Sequence, residues 1–311
     1  MSKRVFVSTS SFGKVSERPL KLLHDAGLTV ELNPHGRKLH ADEVVPLVKG
    51  CVGLVAGTEP LKREALMQLA PTLKVISRVG VGVDKIDHDA AAELNIAVRN
   101  TPSAHVDPVA ELALGGILAG CRHMATADRT LRGGTWKKPM GQLLQQKTVG
   151  FVGYGQVARS LHKLVRPFGV SVVACDPALS ADDARAAEVE LVSIEQVFER
   201  ADVVSAHLPG GAATKGLIHR GLLDRMPAHG IFVNTARGDV VVEGDLVDWL
   251  RARPHSFAYL DVFAKEPYEG PLVELDNVLV TPHIGSYARE GRERMETEAV
   301  ENLLAVLGAT A

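Results

Sequence analysis

The chain has 311 residues, 46% of them hydrophobic and 23% charged, with a formal net charge of −2. That length exceeds one ordinary core, so two domains are expected, and the near-neutral balance offers no attraction to nucleic acid or to an anionic membrane. Cys51, Cys121 and Cys175 are scattered and lack the paired spacing of a zinc site or disulfide framework, which points to a reducing cytoplasmic setting and to no bound metal.

From the N-terminus, Met1 to Arg4 leads straight into a strand pattern, so no signal peptide is expected. Strand patterns at 5–8, 29–32, 52–55, 74–77 and 96–98 alternate with helical patterns at about 17–26, 41–49, 61–69 and 87–94. Such alternation predicts a parallel sheet covered by helices. A long helical run follows Thr101-Pro102 and extends to about Gly133, with Pro108 expected just before it. Its apolar stretch, Val109 to Cys121, contains Glu111 and is too short to span a bilayer. Further strands fit 148–152, 170–175, 202–206, 231–234, 257–261 and 278–280, which makes a second sheet. The closing helical segment, about 287–307, has no strand after it and is expected to return to the first domain. The predicted fold class is therefore α/β with two doubly wound parallel-sheet domains, residues 1–101 with 286–311 and residues 102–285.

Between the strands at 148–152 and 170–175 lies Gly153-Tyr154-Gly155-Gln156-Val157-Ala158, and the second strand ends on Asp176. Gly153 permits a tight turn, Gly155 removes a Cβ from the path of a pyrophosphate, and Ala158 lets the helix pack close to its strand. The helix N-terminus then presents N–H groups and partial positive charge to the phosphates. A carboxylate at 176 can accept hydrogen bonds from ribose hydroxyls and would repel a 2′-phosphate, so NAD is expected rather than NADP.

Three ionisable residues follow strands of the second domain: Arg237 in Asn-Thr-Ala-Arg-Gly, Glu266 before Pro267, and His283 in Thr-Pro-His-Ile-Gly. Hydride chemistry at a secondary alcohol needs a base for the hydroxyl proton, and histidine titrates nearest neutrality. Glu266 could fix the imidazole tautomer, and Arg237 offers a planar fork for a carboxylate and its adjacent carbonyl.

These residues, together with Ser77 to Asp84, His207-Leu208-Pro209 and Leu260 to Pro267, resemble the D-isomer-specific 2-hydroxyacid dehydrogenases over nearly the whole length. The likeness is strongest to the branch acting on 3-phosphoglycerate, in a short form lacking its regulatory domain. It implies a flavodoxin-like substrate domain beside a Rossmann NAD-binding domain, and a catalytic set of Arg237, Glu266 and His283. Cofactor contacts carry over to Val81, Gly153, Gly155, Gln156, Val157, Asp176, Leu208, Pro209, Thr235, Ala236, Asp261, His283, Gly285 and Ser286. Substrate contacts carry over to Arg78, Arg237, His283 and the backbone N–H groups of Val79 and Gly80, a glycine-rich turn of the kind that forms an anion nest.

The implied reaction interconverts a small D-2-hydroxy acid and its 2-oxo acid, 3-phosphoglycerate and phosphohydroxypyruvate first, glyoxylate, hydroxypyruvate or another 2-oxo acid as the alternative. A reading of another class follows from superfamily members that act as NAD-sensing corepressors. The resemblance also implies a homodimer, with the helical arm at about 104–132 burying its apolar face against a second subunit. Departures from the family pattern at Ser103, His105 and Pro108 bear on substrate identity.

Overall fold

Apolar runs of four or five residues separated by amphipathic helices build two parallel sheets, which the computed structural model describes over residues 3–309. The first unit, residues 1–105 and 286–311, begins β1 (Arg4–Val7), α1 (Arg18–Asp25), β2 (Thr29–Leu32), α2 (Ala41–Val48), β3 (Gly53–Ala56), α3 (Arg63–Leu69), β4 (Val75–Arg78), α4 (His88–Glu93) and β5 (Ala97–Arg99). Its sheet runs β2-β1-β3-β4-β5, with every pairing parallel. Because helices cover both faces, alternate residues enter two different cores. Phe6, Leu54 and Ile76 pack with Val44, Val48, Leu66 and Leu69 of α2 and α3, while Val5, Val7, Val55 and Val75 pack on the other face.

The second unit, residues 106–285, runs through α5 (Val106–Cys121), α6 (Met124–Arg132), β6 (Thr148–Val152), α7 (Gln156–Val165), β7 (Ser171–Cys175), α8 (Ala181–Ala186) and β8 (Glu190–Leu191). It continues with α9 (Ile194–Arg200), β9 (Val203–Ala206), α10 (Arg220–Leu223), β10 (Ile231–Asn234), α11 (Glu243–Ala252), β11 (Phe257–Leu260) and β12 (Val278–Val280). Its order, β12-β11-β10-β9-β6-β7-β8, reverses direction between β6 and β9, the position where such sheets open a ligand crevice at their carboxyl ends. The last helix, α12 (Arg289–Leu307), belongs to the first unit, where Met295, Ala299, Val300 and Leu303 join the core beside Val5, Val7, Val55 and Val75.

The two doubly wound sheets expected from the sequence are thus present, with local differences. The single helical run toward Gly133 is two helices. His123 adopts φ +51°, and Gln142 N–H donates to Cys121 O, so the returning chain takes a carbonyl at the end of α5. Pro108 lies within the first turn of α5, where a missing N–H costs no helical bond. β8 was not expected; its two residues, both exposed, show no apolar pattern. No helix among the described residues is long and apolar enough to cross a membrane.

α5 lies unusually close to its sheet, because a Cβ on Gly116 would overlap the Tyr259 ring and one on Gly120 would meet Phe257 Cδ1 at 2.5 Å. The neighbouring Gly115 faces open space. Gly116→Ala should therefore destabilise the protein by about 1–3 kcal/mol through overpacking. Gly115→Ala should stabilise it by up to about 1 kcal/mol through helix propensity. Urea unfolding of both variants checks this, and equal effects would contradict the packing described.

Candidate active site

The nucleotide loop is shaped by contacts that only glycine permits. Gly153 has φ +86°, and a Cβ there would lie 2.5 Å from His207 O, at the junction of the β6 and β9 loops. Gly153 N–H donates to Cys175 O at 2.9 Å, and Tyr154 N–H donates to Asp176 Oδ2 at 2.6 Å. Ala178 N–H holds Oδ1 at 2.8 Å, so both carboxylate oxygens of Asp176 are fixed beside the loop while retaining lone pairs for further donors.

Gly155 caps α7, and a Cβ there would point into open space, room that a phosphate approaching the helix N-terminus would use. Gln156 and Val157 begin α7, and Ala158 is fully buried beneath them. Below the loop, Tyr154 Oη and His162 Nδ1 are 2.6 Å apart, a buried tie from loop to helix. His207 is half-buried, desolvation lowers its pKa to about 4, and Ser205 Oγ lies 2.9 Å from its Nε2.

Leu208 and Pro209 follow β9, and Thr235, Ala236 and Arg237 follow β10. Asn234 closes that second turn, accepting from Ala236 N–H at 3.0 Å and donating to Arg237 O at 2.9 Å. Arg237 Nη1 donates to Ala236 O at 2.7 Å, so part of its guanidinium is oriented by its own loop. Thr235 is 8% exposed, and its Oγ1 has no hydrogen-bond partner among the described residues. An orphaned buried hydroxyl here and the open approach at Gly155 both fit a bound dinucleotide. Backbone atoms of Phe263 leave no space for a Cβ at Gly238, so the loops after β10 and β11 press directly together.

The loop after β12 carries His283 at φ +55°, a conformation unusual for a residue with a side chain. Its turn is held from beneath by Asp261, which is 1% exposed. Asp261 Oδ1 accepts from Thr281 Oγ1 at 2.5 Å and from Ile284 N–H at 2.8 Å, and Oδ2 accepts from Gly285 N–H at 2.8 Å. Tyr259 Oη completes the chain at 2.9 Å from Thr281 Oγ1, and burial pushes that phenol up to about 12. Asp261, expected among the cofactor contacts, accepts three hydrogen bonds from the histidine turn. Thr281 and Tyr259 were not singled out by the sequence, and their only signal was a polar residue two positions before the histidine.

Above this base, His283 Nδ1 lies 2.9 Å from Glu266 Oε2 and 3.1 Å from Oε1, and Phe263 N–H also donates to Oε1 at 3.1 Å. A carboxylate at Nδ1 selects the tautomer with its proton there, leaving Nε2 with a lone pair. Arg237, Glu266 and His283 thus follow β10, β11 and β12, three adjacent strands in register, and Glu266 and His283 are in direct contact.

In the first unit, Arg78 ends β4 and Val79 to Gly82 follow it. Val79 N–H donates to Ala56 O at 3.0 Å and Gly80 N–H donates to Thr101 Oγ1 at 2.9 Å. The expected anion-holding amides are therefore engaged within the fold. Val81 and Gly82 N–H, two residues further on, have no partner among the described residues. Arg78 turns back on its own loop, donating through Nη1 to Val79 O and lying over Gly80, which has φ +131°. Ser286 begins the segment leading to α12, in the first unit with Val81. No group of three or more His, Cys, Asp or Glu able to hold a metal ion occurs among the described residues.

A nucleotide loop at the switch point and a paired imidazole and carboxylate at neighbouring strand ends define a dinucleotide-binding α/β fold. Residues 114–285 match the sequence model described as "D-isomer specific 2-hydroxyacid dehydrogenase, NAD binding domain". The chain belongs to this family. It is 39% identical over 247 residues to the D-3-phosphoglycerate dehydrogenase of Mycobacterium tuberculosis, covering 78% of this chain and 47% of that relative. The chain therefore spans about half the length of that protein. It is 35% identical over 284 residues to the hydroxypyruvate reductase of Thermotoga maritima, covering 89% and 92% of the two chains. The fold is similar to the crystal structure of a protein from Thermus thermophilus, with a TM-score of 0.90, 37% identity and coverage of 98% and 97%.

Proposed function

We propose that this chain is an oxidoreductase interconverting a small D-2-hydroxy acid and its 2-oxo acid. The observation that carries the reading is the hydrogen-bonded His283–Glu266 pair, on the strand ends next to Arg237, in the unit that bears the nucleotide loop. Bound NAD supplies the acceptor for the hydride that leaves C2 with its electron pair. In that direction His283 Nε2 takes the hydroxyl proton, and the C2–O bond becomes a carbonyl. Glu266 stabilises the imidazolium that results, and Arg237 polarises the carbonyl oxygen. In reverse, His283 returns the proton.

The nucleotide is held by the residues around the switch point: the α7 N-terminus for its phosphates, Asp176 for the adenosine ribose, and the Leu208-Pro209 and Thr235-Ala236 loops beside it. In the first unit, the substrate carboxylate is assigned to the N–H groups of Val81 and Gly82 rather than those of Val79 and Gly80. Substrates of the glycerate class, with or without a phosphate, are favoured by the names of the relatives above. Purified protein should oxidise NADH with small 2-oxo acids. His283→Asn should lower kcat by at least about a hundredfold, the scale of general acid–base catalysis, while NAD still binds. No turnover with any 2-oxo acid, or full activity in the variant, would defeat the reading.

The same reading includes a homodimer, with its surface placed differently from the sequence expectation. α5 turns much of its apolar face, including Ala110, Ala113 and Ile117, into its own core. Exposed apolar side chains gather instead along 124–143: Met124, Leu131, Trp136, Met140 and Leu143. Sedimentation should give a dimer, and the double substitution Trp136→Ser with Met140→Ser should shift it toward monomer. A wild-type monomer at micromolar concentration would refute this surface.

A further inference from the structure

At the carboxyl end of the first unit's sheet, next to the loop with the unengaged amides, lies a carboxylate that the proposed chemistry does not use. Glu59 is 3% exposed. Its Oε1 accepts from Ser8 Oγ and from Gly57 N–H at 3.1 Å, and Gly57 N–H also donates to Ser8 Oγ at 2.7 Å. Gly57 lies close beneath this carboxylate: a Cβ there would be 2.8 Å from Glu59 Oε2. Oε2 itself takes no hydrogen bond among the described residues.

Neighbouring strands fix the location. β3 lies between β1 and β4, so Ser8, Gly57–Glu59 and Arg78–Gly82 leave the same edge side by side, and Val79 N–H donates to the carbonyl of Ala56, one residue before Gly57. At this edge Glu59 stands on the loop after β3, and Arg78 ends the neighbouring β4. The guanidinium, on Arg78, is already donating to Val79 O. A phosphate ester brings about −1.5 to −2 charges at neutral pH and needs several donors or cations to replace its water. Here it would meet an unneutralised carboxylate oxygen in a setting of lowered dielectric.

We propose that Glu59 is a specificity-determining residue that rejects an anionic group on C3 of the substrate, so that the enzyme acts on unphosphorylated 2-hydroxy and 2-oxo acids. This inference rests on the enzyme reading above and on the carboxylate lying at Val81 and Gly82. It reverses the sequence expectation of a phosphorylated three-carbon substrate. A neutral C3 hydroxyl, by contrast, can donate to the unengaged Oε2.

The test compares four 2-oxo acids with NADH in the wild-type enzyme: hydroxypyruvate and 2-oxobutyrate, with neutral tails, against phosphohydroxypyruvate and oxaloacetate, with anionic ones. kcat/KM should be at least about tenfold higher for the neutral pair, the scale of one like charge at short range in a partly buried site. Glu59→Gln keeps the shape and removes the charge. It should narrow that ratio by about tenfold, chiefly by lowering KM for the anionic acids. Preference for phosphohydroxypyruvate in the wild type, or an unchanged ratio in a folded Glu59→Gln variant, overturns the inference and leaves the enzyme reading standing. Should the variant not fold, the wild-type ranking decides alone. Failure of all four acids to turn over would instead defeat the enzyme reading.

Discussion

The buried carboxylate of Asp261 is the constraint on which the catalytic geometry depends. A carboxylate removed from water is costly unless it is hydrogen-bonded, and Asp261 accepts three hydrogen bonds, from Thr281, Ile284 and Gly285. Those donors sit on both sides of His283, so satisfying the charge bends the chain through the histidine. A left-handed backbone at a non-glycine residue costs on the order of 1–3 kcal/mol. Charge-assisted hydrogen bonds of about 1.5–3 kcal/mol each are enough to hold it. Gly285 belongs to the same arrangement, since a Cβ there would come within 3.0 Å of Asp261 Oδ2.

Strand register does the rest. Leu260 pairs with Asn234 and Val280, so the loops carrying Arg237, Glu266 and His283 leave the sheet side by side. Three side chains far apart in sequence become neighbours because three short strands end level. The nucleotide loop is placed by the same sheet, four strands over from β12, where β6 and β9 diverge and Gly153 lets the His207 carbonyl approach. Both halves of the chemistry thus sit at carboxyl ends of one set of parallel strands, and the helices behind them, α5 above all, serve to hold that edge rigid.

Much of this was readable in the chain. Strand and helix alternation is a local pattern, and it predicted both sheets, because apolar runs such as Phe257 to Leu260 are buried on both faces. The Gly153–Ala158 loop and the residues after β10, β11 and β12 were legible because their chemistry is carried by residue type at fixed offsets from a strand. What escaped depends on partners distant in sequence. Whether the Val79 and Gly80 amides are available is decided by Ala56 and Thr101, and the role of Asp261 by residues twenty or more positions later. The break between α5 and α6 comes from Gln142 returning to Cys121. No sequence pattern marks Glu59, because Ser8 and Gly57 meet it only in the fold.

The most direct test of the account is Asp261→Asn, followed by separate measurement of NAD affinity and of the rate of hydride transfer. An amide supplies an N–H where one of the three donors now points, so the His283 turn should lose its seat. Hydride transfer should fall by about a hundredfold, the scale of misplaced general acid–base groups, with the NAD dissociation constant changed less than about threefold, since Asp261 is spent on the turn. Unaltered hydride transfer, or a loss confined to NAD binding, would contradict the claim that this carboxylate positions the catalytic histidine.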